Sequence, residues 1–495
     1  MKKGVPQWVR VVAICLILIC SPLGCQSKQT AGFIPPLEIS GDITQPLILS
    51  KINQTELQSF EKNGVAYQGI PLQGIIKDTS PLSDRYTILM VSSDGLAAEI
   101  QGDQIESSYL VFTNENGWEA IHLFHPPSAA VKKLERLIVV TQGDLDLKDS
   151  FNLISSEKNI SQLTPGRLFA TGFCETPFLE GTSLITKDGT DYRVSVYTRR
   201  LAIPINTLEG IEIPFAVVSK SGKIIQECTN GYIQWMGNSL RYISDDGRIR
   251  LDDLAGIFVH PPTSSITDLY DPIVDSLVQD RKVLIILLDG FGYQQYREAK
   301  EKGSIPFMQT LSDAIPTMTA YSPVTNTGMA AILTGEWPDV NGVNSREQRE
   351  LSVPSIFKTV LDLEKEGILL EGNIGILKTE IEPLLHLDLD ESGDADDEIF
   401  QSAMDKMNGG YDLMMVHFHS IDDAGHATGP LSQVTMDTIR RNDTYVKALV
   451  GAWKGPVYII ADHGMHATDD GGSHGDFRIE DLLVPLVITE GGLKP

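Results

Sequence analysis

Cysteine is scarce in this chain of 495 residues: there are five, with Cys15, Cys20 and Cys25 near the start, then Cys174 and Cys228, and none beyond. The C-terminal half therefore has no thiolate to offer a metal or a substrate. Basic residues are also in deficit, 40 Lys and Arg against 66 Asp and Glu, for a formal net charge of −26. Affinity for nucleic acid depends on neutralising phosphates with Lys and Arg, so tight duplex binding is not expected. The same deficit repels anionic lipid, so no basic patch would hold the chain at a membrane. Long apolar runs are missing too. Val11 to Cys20 carries no charge, but a spanning helix needs about 20 such residues.

What the start of the chain does have is a recognisable order. Met1-Lys2-Lys3 and Arg10 precede the short apolar core, and small Gly24 precedes Cys25. This reads as a signal peptide over 1–24. Leu23-Gly24-Cys25 resembles a bacterial lipoprotein cleavage site. That resemblance implies lipidation of Cys25, a polar tether over 25–32, and an exported protein lipid-anchored to the bacterial cell membrane, facing outside the cytoplasm. Losing Lys2, Lys3 and Arg10 with the signal takes the charge from −26 to −29. In an exported protein Cys174 and Cys228 are free to pair, which sequence alone leaves open.

The length predicts two or three domains. Residues 33–150 and 151–275 read as two β-rich modules. Runs such as Tyr86 to Val91, Ser108 to Phe112 and Arg136 to Val140 are β-branched or aromatic, and turn signals separate them, as at Ser93-Asp94-Gly95 and Asn114 to Gly117. Two stretches repeat a pattern. Ser92-Ser93-Asp94-Gly95 is followed by His125-Pro126-Pro127, and Ser219-Lys220-Ser221-Gly222 by His260-Pro261-Pro262. His125 and His260 read as strand-end residues before a proline-fixed turn, not as ligands. The first module, through Gly69-Ile70-Pro71-Leu72 and Val91 to Gly95, also resembles the molybdopterin-binding fold of sulfite oxidase-like proteins, without the cysteine that holds the metal there. A cofactor-free accessory module is expected.

From 281 onward strand-like and helix-like segments alternate, which predicts an α/β domain over 280–490 with a largely parallel sheet covered on both faces. In such sheets a site forms beyond the carboxyl ends of the strands. Polar groups suited to metal binding gather there. Val283 to Leu288 ends in Asp289-Gly290. Leu413 to Phe418 leads to Asp422 and His426. Val457 to Ala461 delivers Asp462-His463-Gly464, and a glycine-rich loop carries His474. Of ten histidines, six lie between His417 and His474, so the enrichment is local. Carboxylates and imidazoles in similar number suit zinc, with manganese or iron as substitutes. Thr325 stands before the helix-like run Met329 to Gly335. There a cation and a helix dipole would both favour its alkoxide; its alternative role is an N-cap. His417 and His419 read as packing residues first, with contact to substrate or to the ligands as the alternative for His419, which is nearer the site, and His466 reads as exposed.

In order, these elements resemble the alkaline phosphatase superfamily, in particular its type I phosphodiesterase/nucleotide pyrophosphatase branch. The resemblance implies an alkaline phosphatase-like fold and two divalent metal ions, one on Asp422, His426 and His474, the other on Asp289, Asp462, His463 and the nucleophile Thr325. It implies hydrolysis of a small-molecule phosphate ester, a phosphodiester or nucleotide pyrophosphate first. A monoesterase, a phosphonate hydrolase, a sulfatase-like enzyme and a non-catalytic cell-surface binding protein are the alternatives. Where relatives follow the nucleophile with Phe-Pro-Asn, this chain has Asn326-Thr327-Gly328, which leaves Asn326 and Asn344 as the candidates to contact the substrate phosphate.

Overall fold

A computed structural model of the chain describes residues 34–143, 145 and 150–492. The expected signal peptide, tether and Cys25 lie outside the described residues. Among those described, no helix is long and apolar enough to cross a membrane.

The N-terminal region is mainly β, and it is built twice on one plan. Its first five-stranded sheet has the order Leu47–Leu49, Leu37–Gly41, Leu134–Thr141, Tyr86–Ser92, Ala97–Gln101. The second has the order Asn159–Leu163, Phe151–Ser155, Leu254–Val259, Phe215–Ser219, Ile224–Cys228. In both, the first strand of the module pairs in parallel with the last. Each sheet turns one face to a core of its own, with Leu37, Ile39, Ile88 and Leu137 in the first and Phe151, Leu153, Phe215 and Ile257 in the second. The hairpin of the first module, Gln58–Lys62 with Val65–Pro71, is short. Its counterpart, Cys174–Lys187 with Thr190–Pro204, is long and exposes Ile185, Tyr192 and Tyr197. Cys174 is exposed, Cys228 is buried, and both thiols are free, so the pairing left open by the sequence is not made.

The third core takes in Ile266, Leu269, Ile273 and Leu277. The helix Tyr270–Val278 therefore packs with the C-terminal unit, although the sequence reading left its first turns to the module ending at 275. The reason is plain in the spacing: its apolar positions fall on one helical face.

That core surrounds an eight-stranded sheet of order Ser264–Ser265, Ile315–Met318, Leu483–Glu490, Pro456–Ile460, Val283–Leu288, Leu413–Phe418, Gly367–Glu371, Leu384–Leu385. Only Leu483–Glu490 runs against its neighbours; the remaining pairings are parallel. Every residue of Val283–Leu288 and Leu413–Phe418 is buried, as a strand covered on both faces must be. This is why those segments read as continuous apolar runs instead of alternating ones. The architecture is the expected α/β one. Gln433–Ala452 is a long helix, and the helix Tyr293–Glu301 is followed by a separate 3-10 turn, Met308–Thr310.

Candidate metal centre

Three neighbouring parallel strands end at the same edge, and each delivers a carboxylate. Asp289 follows Val283–Leu288, Asp462 lies just past Pro456–Ile460, and Asp422 sits in the first turn of Ser420–Thr428, the helix after Leu413–Phe418. Two glycines permit the close approach. Gly290 has φ +68°, and a Cβ there would lie 2.6 Å from Asp422 Oδ1. A Cβ at Gly328 would lie 2.2 Å from the carbonyl oxygen of Asp462, so the helix Thr325–Thr334 can abut the Asp462 loop only with glycine at that position.

The residues fall into two adjoining groups. Asp422 Oδ2 lies 3.3 Å from His426 Nε2, and its Oδ1 lies 3.6 Å from His474 Nε2. His463 Nε2 lies 3.3 Å from Asp289 Oδ1 and 3.5 Å from Asp462 Oδ2. The His463 and His474 rings stack at 3.7 Å, which joins the groups. Thr325 is the first residue of its helix; Val324 holds the N-cap position, so the capping role does not fall to Thr325. Its hydroxyl is half-buried, 3.3 Å from His463 Nε2.

Two features show that the donors suit metal binding. Asp289 Oδ1, Asp422 Oδ1 and Asp462 Oδ2 are buried with no hydrogen-bond partner. Buried carboxylate oxygens are costly unless paired or metal-bound. Gly290 N–H and His463 N–H both donate to the other oxygen of Asp462, at 3.2 and 2.9 Å, which leaves Oδ2 directed inward. The imidazoles are set just as definitely. Nδ1 of His426, His463 and His474 donates to the carbonyl oxygens of Gly472, Gly464 and Pro323, each at 2.9 Å. All three Nε2 atoms therefore face the site, as metal-ligating histidines do.

The electrostatics follow from burial. Burial and then the neighbouring Asp289 charge push the Asp462 carboxyl up to about 7. Burial works to lower His463, but the charge of Asp462 and the contact with Asp289 outweigh it and hold the ring at about 10. Burial, with His463 beside it, drives His474 down to about 2, so that ring is neutral.

The two substrate candidates fare differently from the ligands. Asn326 is buried, and its amide nitrogen donates to the carbonyls of Gln348 and Ile376 at 2.9 and 3.2 Å, so it ties loops together instead of facing a phosphate. Asn344 is half-buried, its N–H held by Gln348 Oε1 at 2.7 Å. Two residues on, Arg346 brings Nη2 to 2.5 Å from His474 Nε2. Sequence gave no signal for this arginine, which lies in a polar loop without periodicity. His417 and His419 are not packing residues: their rings both contact Asp289 Oδ2 at 3.3 Å. An alternating strand face that would be apolar elsewhere meets a buried carboxylate here. His466 is buried, not exposed, because the short hairpin His466–Thr468 with Gly471–Ser473 folds it onto Asp481, 2.8 Å from Nδ1. His125 and His260 lie elsewhere, bonded to Gln104 O and Glu212. Beside His419 opens a cavity of about 560 Å³ lined by Gly372, Ile374, Asp394, Asp396 and Asp423.

Residues 373–488 match the family model described as Type I phosphodiesterase / nucleotide pyrophosphatase. Five of the six Asp and His ligand candidates fall inside that match; Asp289 precedes it, as does Thr325. A stretch of 102 residues is 34% identical to GPI ethanolamine phosphate transferase 1 of Mus musculus, covering 19% of this chain and 11% of that protein. The chain thus spans about a ninth of the length of this curated relative. Among solved structures, it is similar to phosphonoacetate hydrolase from Sinorhizobium meliloti 1021 (17% identity, TM-score 0.32, 37% of this chain and 56% of that one). It is also similar to murine ectonucleotide pyrophosphatase / phosphodiesterase 5 (16%, 0.31, 38% and 58%). A third is lipooligosaccharide phosphoethanolamine transferase A from Neisseria meningitidis (12%, 0.34, 43% and 48%).

Proposed function

We propose that this protein is a metal-dependent hydrolase of small-molecule phosphate esters, with phosphodiesters and nucleotide pyrophosphates as the first substrate class. One observation carries the reading. A half-exposed threonine hydroxyl at a helix start stands against two Asp/His groups whose inward carboxylate oxygens have no hydrogen-bond partner.

Asp422, His426 and His474 would hold one divalent cation, and Asp289, Asp462 and His463, with Thr325, the other; zinc fits the donor set, with manganese as substitute. When bound, such cations supply Lewis-acid stabilisation of a nucleophilic and a leaving oxygen. The Thr325 hydroxyl attacks phosphorus, forming a Thr325–O–P bond while the P–O bond to the leaving group breaks; the threonine proton passes to the departing oxygen, which leaves as an alcohol from a diester or as a phosphate from a pyrophosphate. Water then cleaves the Thr325–O–P bond, releasing phosphate or its monoester and restoring the hydroxyl. The helix Thr325–Thr334 directs its unpaired N-terminal N–H groups at the phosphoryl oxygens. Attachment through a lipidated Cys25 would place the reaction outside the cytoplasm, at the bacterial membrane surface.

A second reading, phosphate monoesters, is favoured by Arg346. A guanidinium beside His474 suits the additional charge and paired oxygens of a terminal phosphate. Hydrolysis of a nitrophenyl phosphodiester beside the corresponding monoester separates the two. In either case Thr325→Ala lowers kcat at least about 1,000-fold, the loss expected when only binding and electrostatic stabilisation remain. Metal content stays at the wild-type value, by elemental analysis. Full activity in Thr325→Ala removes the threonine from its role.

A further inference from the structure

A row of buried polar groups crosses the ends of three adjacent strands and terminates on Asp289. Val416 stands beside Leu370 on one side, and His417 beside Leu287 on the other. Side chains alternate between faces along a strand, so Glu371, His417, His419 and Asp289 share one face of the sheet. Glu371 and His417 have no exposed surface. Ile376 N–H donates to Glu371 Oε2 at 3.1 Å, which leaves Oε1 3.5 Å from His417 Nδ1. Nε2 of that ring lies 3.3 Å from Asp289 Oδ2. On the outer side, Gly372 N–H donates to His419 Nε2 at 3.3 Å, which sets the ring proton on Nδ1, 3.3 Å from the same Asp289 oxygen. Two imidazole N–H groups converge on Oδ2. Oδ1 has no hydrogen-bond partner and faces His463.

The geometry points to a clamp: His417, oriented by Glu371, and His419, oriented by Gly372, fix Asp289 as a ligand through Oδ1 alone. It also ties the cavity wall to the metal centre, because the two backbone donors, Gly372 and Ile376, belong to the loop that lines the cavity. A carboxylate without such partners can swing between one-oxygen and two-oxygen binding. Partners that orient a metal ligand typically change affinity about 10- to 100-fold. His417 and Glu371 are positioning residues, acting through Asp289. The inference rests on the metal-site reading given above, not on which ester is cleaved.

The test is a chelator titration of the zinc-loaded full chain, wild type against His417→Ala. The expected result is a loss of about 10- to 100-fold in affinity for one ion only, the ion on Asp422, His426 and His474 being unchanged. His417→Gln, which keeps an N–H donor, recovers part of the loss, and kcat falls while KM holds. Unchanged affinity in His417→Ala overturns the clamp. Should circular dichroism show that variant unfolded, His419→Ala, whose ring is partly exposed, is read the same way, with unchanged affinity again the overturning result. Failure of the functional reading is distinguishable, since it shows in the wild type as absent esterase activity with metal affinity intact.

Discussion

The two N-terminal modules have the same strand order, yet the same face of each sheet meets a different kind of neighbour. In the first module that face carries Glu38 beside Arg136 and Leu89 beside Ile138. Glu38 pairs with Arg136 and also accepts Trp235 Nε1–H at 3.4 Å, while Gly41 N–H donates to Gly237 O. At the matching positions the second module has Asn152 beside Gly256 and Ala216 beside Phe258. There Ile154, Ala216, Val218 and Phe258 pack with Met318, Tyr321, Phe477 and Leu482 of the C-terminal unit. One scaffold thus makes a polar joint, then an apolar joint, in series. The apolar joint reaches toward the candidate metal centre, because Phe477 lies three residues after His474.

The comparison breaks most sharply at Gly256. A Cβ there would lie 2.3 Å from Asn152 O and 2.5 Å from the Phe477 ring. Gly256→Arg, which copies Arg136 of the first module, is expected to cost more than about 4 kcal/mol, the range of overpacked and buried-charge variants. Thermal unfolding should split into separate transitions, and esterase activity should fall with the displaced Phe477. A single transition at the wild-type temperature would mean the joint is not apolar packing.

A middle effect is expected at the link between the modules. Asp42 Oδ1 accepts Gly166 N–H at 2.6 Å, and Oδ2 accepts Thr141 N–H at 2.8 Å and the Thr164 hydroxyl at 2.7 Å. Asp42→Asn turns an NH₂ toward at least one of these donors, at a cost of about 2–3 kcal/mol. Urea denaturation should show the loss while kcat stays unchanged. Smallest of all is Arg136→Ala. Its partner Glu38 is partly exposed, so the change in stability should stay within about 1 kcal/mol. A larger loss would show the polar joint to be as tight as the apolar one.

The C-terminal half was legible because a parallel sheet buried on both faces writes itself as continuous apolar runs, and Asp289, Asp422 and Asp462 stand where those runs stop. The repeated His-Pro-Pro and Ser-x-x-Gly patterns marked two modules. They could not show the parallel pairing of first strand with last, which depends on contacts about a hundred residues apart. Glu371 carried no signal, and His417 and His419 read as packing, because a buried polar chain has no periodic signature. Arg346 was invisible for the opposite reason: loop residues acquire partners only in three dimensions.

The tethering of His426, His463 and His474 to carbonyl oxygens has a further consequence. Ring direction at all three positions is set by main-chain atoms of Gly472, Gly464 and Pro323, groups that every amino acid presents alike. Substitutions in the surrounding loops that preserve the local trace leave the aim of those rings intact. The rim can therefore be remodelled without redirecting the three rings beneath it.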